Sequence, residues 1–200
     1  MLFRSEASDS LGALYEREKN NFKTLFEFSE GGRALTKLRS KDQFVAAYPF
    51  LPYQYDLFQS AIQQLSRHNA FEGRHSSVGE RSMLAVFKEV AEGLAVKPVG
   101  SFATFDCMFD GLKNSLKAQI QQSIVAAERQ LEDEFSVRLL KAMFLVKYVN
   151  EFHSNPPNLC VLMRERYDED STELQRKVKE SLELLELQSY VQDRKSTRLN

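Results

Sequence analysis

Cysteine is scarce in this chain and long apolar runs are missing. The only cysteines are Cys107 and Cys160, with no paired spacing to histidine, which excludes a disulfide framework and a cysteine-based zinc site. Both read as ordinary buried or half-buried thiols. No continuous apolar segment approaches the length of a membrane span, and Met1 is not followed by a secretory pattern, so no membrane partner and a cytoplasmic location are expected. A net charge of -1 offers no global attraction to nucleic acid or anionic lipid; any such contact must come from a local patch. The sequence also lacks G-x-x-x-x-G-K-[ST], a strand-linked G-x-G-x-x-G, H-E-x-x-H and G-x-S-x-G. His68, His75 and His153 have no partners at metal spacing, so each reads as a solvated or capping histidine.

What is present is an ordinary mixture of apolar and charged residues, enough over 200 residues for one domain or two small ones. The last eight residues, "DRKSTRLN" (193–200), match the translation of a common short-read sequencing adapter and are set apart from fold reasoning as an artefact. The natural sequence is then expected to continue beyond Gln192, which makes this chain a fragment.

Helical periodicity dominates the rest. A first helix runs through Leu11 and Leu14 toward Phe22 and Phe26, stopped by Gly31-Gly32. Pro49 and Pro52 force extended geometry at Tyr48 and Leu51, and Pro52 suits the first position of a helix whose apolar face is Leu51, Tyr55, Phe58, Ile62 and Leu65. After the loop in "GRHSSVGERSML", Met83, Phe87, Val90 and Leu94 mark another helix. "AVKPVGSFATFDCMFDG" is a break that could hold a short strand, and Leu112, Leu116, Ile120, Ile124, Ala127 and Leu131 predict one long helix.

From Ser136 three shorter helices are expected: "VRLLKAMFLVKYVNEF", apolar nearly all round and hence central; "NPPNLCVLM", begun by Asn155; and "STELQRKVKESLELLEL", capped by Ser171 or Thr172, with Leu174, Val178, Leu182 and Leu185 buried. "QSYVQ" then alternates like a strand. Three helices and a strand in this order match a winged helix-turn-helix cut off at its wing.

Two places could carry chemistry. In the first, a glycine-containing loop delivers Arg81 to the first turn of a helix, where free N–H groups and the macrodipole favour an anion and a guanidinium fork suits phosphate. Local chemistry alone favours a plainer arrangement, in which Ser76 or Ser77 and Glu80 cap the helix and Arg81 lies on the surface. In the second, Arg176, Lys177 and Lys179 on the last helix could contact DNA or a protein. Glu173, Glu180, Glu183 and Glu186 beside them make a poor phosphate surface. The acidic Asp168, Glu169, Asp170 and Glu173 suit a helix N-terminus.

Three segments, "YPFLPYQYDLFQSAIQQLSRHNAFEGRHSSVGERSML", "ATFDCMFDGLKNSLKAQIQQSI" and "RLLKAMFLVKYVNEFHSNPPNLCVLM", closely resemble the BrxC family, the P-loop ATPase component of BREX phage-defence systems, over essentially all of residues 1–192. Members are much longer and carry their P-loop on the N-terminal side of this region, so the chain reads as an interior slice and Met1 as an internal methionine. The resemblance implies a bacterial antiviral ATPase of AAA+-like build that uses ATP and Mg in the parent protein, acts with other BREX components including a DNA methyltransferase, and forms a homo-oligomer, with DNA as a further candidate partner. It also implies a helical lid after the ATPase core, with a sensor arginine near the start of a lid helix. Gly79, Arg81 and Leu84 match that pattern, although Glu80 alone separates glycine from arginine; Arg74 is the competing candidate.

The expected fold is therefore mainly α: a helical lid-like region over 1–135 followed by a truncated winged helix-turn-helix-like module over 136–192. The expected function is nucleotide sensing and partner binding within a P-loop ATPase, with no ATP or Mg held, and no ATP hydrolysed, by the fragment alone. The alternative is a non-enzymatic DNA- or protein-binding adaptor built on the winged-helix-like module.

Overall fold

Pro52 begins a helix because its missing N–H is not needed there, and Gln54 completes the start. Its Oε1 accepts from the Leu51 N–H at 2.8 Å, while its Nε2 donates to the Ala103 carbonyl at 2.7 Å. One buried side chain thus ties this helix to a loop fifty residues away. The computed structural model describes residues 2–29, 35–72 and 80–191, and only the backbone of 2–5 and 80–82. In chain order the helices are α1 (Leu2–Leu25), α2 (Lys41–Ala47), α3 (Pro52–Arg67), α4 (Glu80–Leu94), α5 (Cys107–Leu112), α6 (Ala118–Gln130), α7 (Glu134–Val146), α8 (Pro156–Met163) and α9 (Ser171–Leu187), with a 3-10 turn at Lys113–Ser115. Among the described residues there is no strand, only isolated antiparallel bridges between Phe71 and Leu116 and between Ser101 and Arg166.

The helix α7 is central, as its apolar circumference predicts. It packs against α3, α5, α6, α8 and α9, with Leu139, Ala142 and Leu145 fully buried. Its start is capped by Asp133, which accepts from the Ser136 N–H at 2.8 Å. Helices α8 and α9 pack on α7 and on each other. Asn155 caps α8 by accepting from the Asn158 N–H at 3.0 Å. The buried apolar set is one cluster reaching from Leu14 to Leu185, so it passes through residue 135 without interruption.

Several expectations need correction. The run from Leu112 to Leu131 is three pieces, because Leu116 turns extended (ψ 153) and the Lys117 N–H donates to the Ala70 carbonyl at 2.9 Å instead of continuing a helix. The apolar spacing was a true core signal, since Leu112, Leu116, Ile124, Ala127 and Leu131 are all buried, but separate elements deliver it. Neither Ser171 nor Thr172 caps α9; Asp170 does, accepting from the N–H groups of Thr172 at 2.7 Å and Glu173 at 3.1 Å. "QSYVQ" does not form a strand over its described residues. Ser189 has φ 61 and the Tyr190 N–H returns to the Leu185 carbonyl at 2.9 Å, a helix-terminating turn. The predicted strand in "AVKPVGSFATFDCMFDG" is instead an extended strap, with Phe102 N–H on Glu165 O at 2.7 Å and Phe105 N–H on Leu162 O at 2.8 Å. The short α2, unforeseen, is capped by Ser40. The first helix ends at Leu25, and the Gly31-Gly32 stop lies outside the described residues.

Candidate functional site

The helix that carries Arg81 is anchored by aromatic packing. Phe87 meets Phe50 edge-on at 4.8 Å between ring centroids, Tyr55 at 4.6 Å and Phe58 at 5.5 Å, which fixes α4 on α3. Val86 packs over Gly111 of α5. Arg81 is the second residue of α4, in the first turn, where backbone N–H groups lack intrahelical acceptors. Its side chain lies outside the described residues, as do Arg74 and Gly79 altogether. Leu84, one turn on from Arg81, is 72% exposed, so this face of α4 presents an apolar side chain to solvent.

The second predicted set lies on the outer face of α9. Arg176 is fully engaged, with Nη2 and Nε on Glu173 at 2.7 and 2.9 Å and Nη1 on Glu180 at 2.6 Å. Hydrogen bonds to Glu173 and Glu180 raise its already high pKa and lower that of Glu173. Arg176 is thus spent on its own helix, while Lys177 and Lys179 stand exposed. α4 and α9 have no substantial mutual packing and do not form one site.

The most connected polar group was not singled out by sequence. Arg138 on α7 donates from Nε to Asp106 at 2.9 Å and from Nη2 to Thr104 Oγ1 at 3.0 Å, and Nη1 pairs with Glu165. Burial alone would lower its pKa, but hydrogen bonds and charge from Asp106 and Glu165 outweigh that and raise it. The signal was available as a cation within the apolar run of α7, where a buried charge requires partners. Three residues further along α7 stands a second such cation, Lys141, bonded to Asp110 at 3.1 Å and Glu128 at 3.0 Å. These contacts clamp α5, α6, α7 and the strap together, which is structural work.

Burial raises the thiol pKa of both Cys107 and Cys160, which disfavours the reactive thiolate. Among the described residues no group of three or more His, Cys, Asp or Glu could hold a metal ion. A groove of about 620 Å³ between α1 and α2, bordered by Gly12, Glu16, Lys41 and Val45 among others, touches none of the predicted residues. Among the described residues no helix is long and apolar enough to cross a membrane. No protein-family model matches the chain, and no solved structure matches it significantly.

Proposed function

We propose that this chain is a helical, nucleotide-responsive segment of a BREX-type P-loop ATPase, in which Arg81 reaches the phosphates of a nucleotide held by the ATPase core. The observation that carries the reading is the position of Arg81 in the first turn of α4, where backbone N–H groups lack intrahelical acceptors. Its support from sequence is the resemblance of the three quoted segments. The aromatic seat of Phe87 makes α4 a rigid arm, so a pull on Arg81 would be felt by α3 and α5.

On this reading ATP and Mg are bound by the core and not by the residues described, and no catalytic step is assigned to this chain. The helices α7, α8 and α9 form the winged-helix-like, partner-binding part, a reading supported by their mutual packing. Other BREX components, the methyltransferase among them, are the proposed partners, within a cytoplasmic homo-oligomer. A DNA-binding adaptor acting through α9 is the weaker alternative, because Glu173 and Glu180 already occupy Arg176.

The test is Arg81→Ala in the ATPase that carries this segment. ATP turnover and phage restriction should both fall while thermal stability is unchanged. Normal turnover and normal restriction would end the sensor assignment.

A further inference from the structure

At the end of the molecule where α3 and α7 finish, His68 and Tyr148 stack face to face, with ring centroids 3.9 Å apart and planes 10° apart. Two chain segments eighty residues apart therefore build an aromatic pair at the surface. His68 is exposed and Tyr148 half-buried, so the imidazole is the more solvent-accessible ring of the pair. One cation touches the pair, and two more are brought close to it by the backbone. Lys147 places Nζ 5.2 Å from the centre of the Tyr148 ring, and Arg67 directly precedes His68. Lys117 is drawn in by its backbone bond to Ala70, two residues from His68. Among the described residues Arg67, Lys117 and Lys147 hold no carboxylate, so their charges are available to a phosphate. Of the nearby acids, Glu72 is engaged by the Ala118 N–H at 3.1 Å, and Glu151 is exposed three residues beyond Tyr148.

We propose that this end of the molecule binds single-stranded nucleic acid, with a base continuing the stack on the exposed His68 ring, and Arg67, Lys117 and Lys147 holding the flanking phosphates. A ring that offers a π-face accepts any base, and free cations beside it track a backbone, which is the combination that strand-binding surfaces use. Duplex nucleic acid keeps its bases stacked inside and offers nothing to His68. The chain's near-zero net charge makes this a local contact, so its salt dependence should report only a few phosphates. This surface is separate from Arg81, and its test needs no ATPase.

The experiment is fluorescence anisotropy of the full chain with labelled oligothymidylate, oligouridylate and a duplex of equal length, across salt. Either single strand should bind more tightly than the duplex, and the two single-strand arms distinguish DNA from RNA. The double variant Arg67→Gln/Lys147→Gln should weaken binding by about tenfold at low salt and reduce the slope of log affinity against log salt by about 1.4, roughly 0.7 for each lost phosphate contact. His68→Ala should weaken binding about fivefold with the slope unchanged. Because Arg67 and Lys147 also lie at helix C-termini, each variant's melting temperature is measured alongside. Lys23→Gln/Lys97→Gln, two exposed lysines outside this patch, should bind like the parent chain. No binding to either single strand, equal or tighter binding to duplex, or affinity unaffected by the Arg67/Lys147 change would overturn the proposal.

Discussion

Val86 of α4 lies directly over Gly111 of α5: a Cβ added to Gly111 would meet both Cγ atoms of Val86 at 2.9 Å. No real side chain tolerates that approach, so the glycine is what lets α4 sit down on α5 and present Arg81 where it does. Gly111→Ala should therefore destabilise the chain or lift α4, by about 1–3 kcal/mol of overpacking. Val86→Ala in the same chain should restore part of the loss, since it removes both clashing methyl groups. Urea unfolding of the two single variants and the double variant measures the coupling, and simple additivity would mean that the two residues do not oppose each other.

Arg138 joins Asp106, Thr104 and Glu165 where its side chain is only 24% exposed and that of Asp106 only 7%. Asp106 Oδ1 has no partner in this arrangement, so the carboxylate depends on Arg138. Arg138→Ala should cost about 2–3 kcal/mol, chiefly from leaving Asp106 buried without its counter-charge. Adding Asp106→Asn to that variant should recover part of the cost. Equal midpoints in urea for the parent chain and Arg138→Ala would show the clamp to be idle.

Burial pushes the hydroxyl pKa of Tyr53 well above the ordinary value of about 10, and Tyr48 and Tyr55 shift the same way for the same first reason. A folded-state pKa above the unfolded one means that the stability is fully present below about pH 10 and is lost as the pH rises from there toward the folded value. The unfolded chain ionises while the folded one resists. Melting temperature should thus fall from about pH 9 to pH 11. Tyr53→Phe should make that fall shallower, at a cost near neutral pH of about 1 kcal/mol for the lost hydrogen bond to Val161 O. Parallel pH profiles for the two proteins would contradict the assignment.

The elements differ in how far local sequence alone specifies them. Helices α3, α7 and α8 were legible because Pro52, Asn155 and the apolar spacing act within a few residues of one another. The break at Leu116 was not, since it is made by bonds from Leu116 and its neighbours to the chain near Ala70 and Phe71. Locally the sequence reads as helix straight through. The α9 cap falls on Asp170 and not on Ser171 or Thr172, because all three are capable caps and only backbone geometry chooses among them. Of the candidate residues, the place of Arg81 at the start of a helix was legible from the apolar spacing that follows it, and the glutamates that occupy Arg176 were visible at helical spacing. The Arg138 clamp and the His68–Tyr148 stack depend on pairings across 27 to 80 residues and left only weak traces.

By itself, then, the sequence determined the helical class, much of the core though not the exposure of Tyr55 or the burial of Leu57, and where proline and asparagine start helices, because those depend on short-range sterics, capping bonds and the period of apolar side chains. Tertiary structure alone decided where the long run divides, how close α4 comes to α5, and which cations are spent on carboxylates and which stand free. Those outcomes depend on which distant backbone donors, acceptors and charges the packed core brings within hydrogen-bond reach.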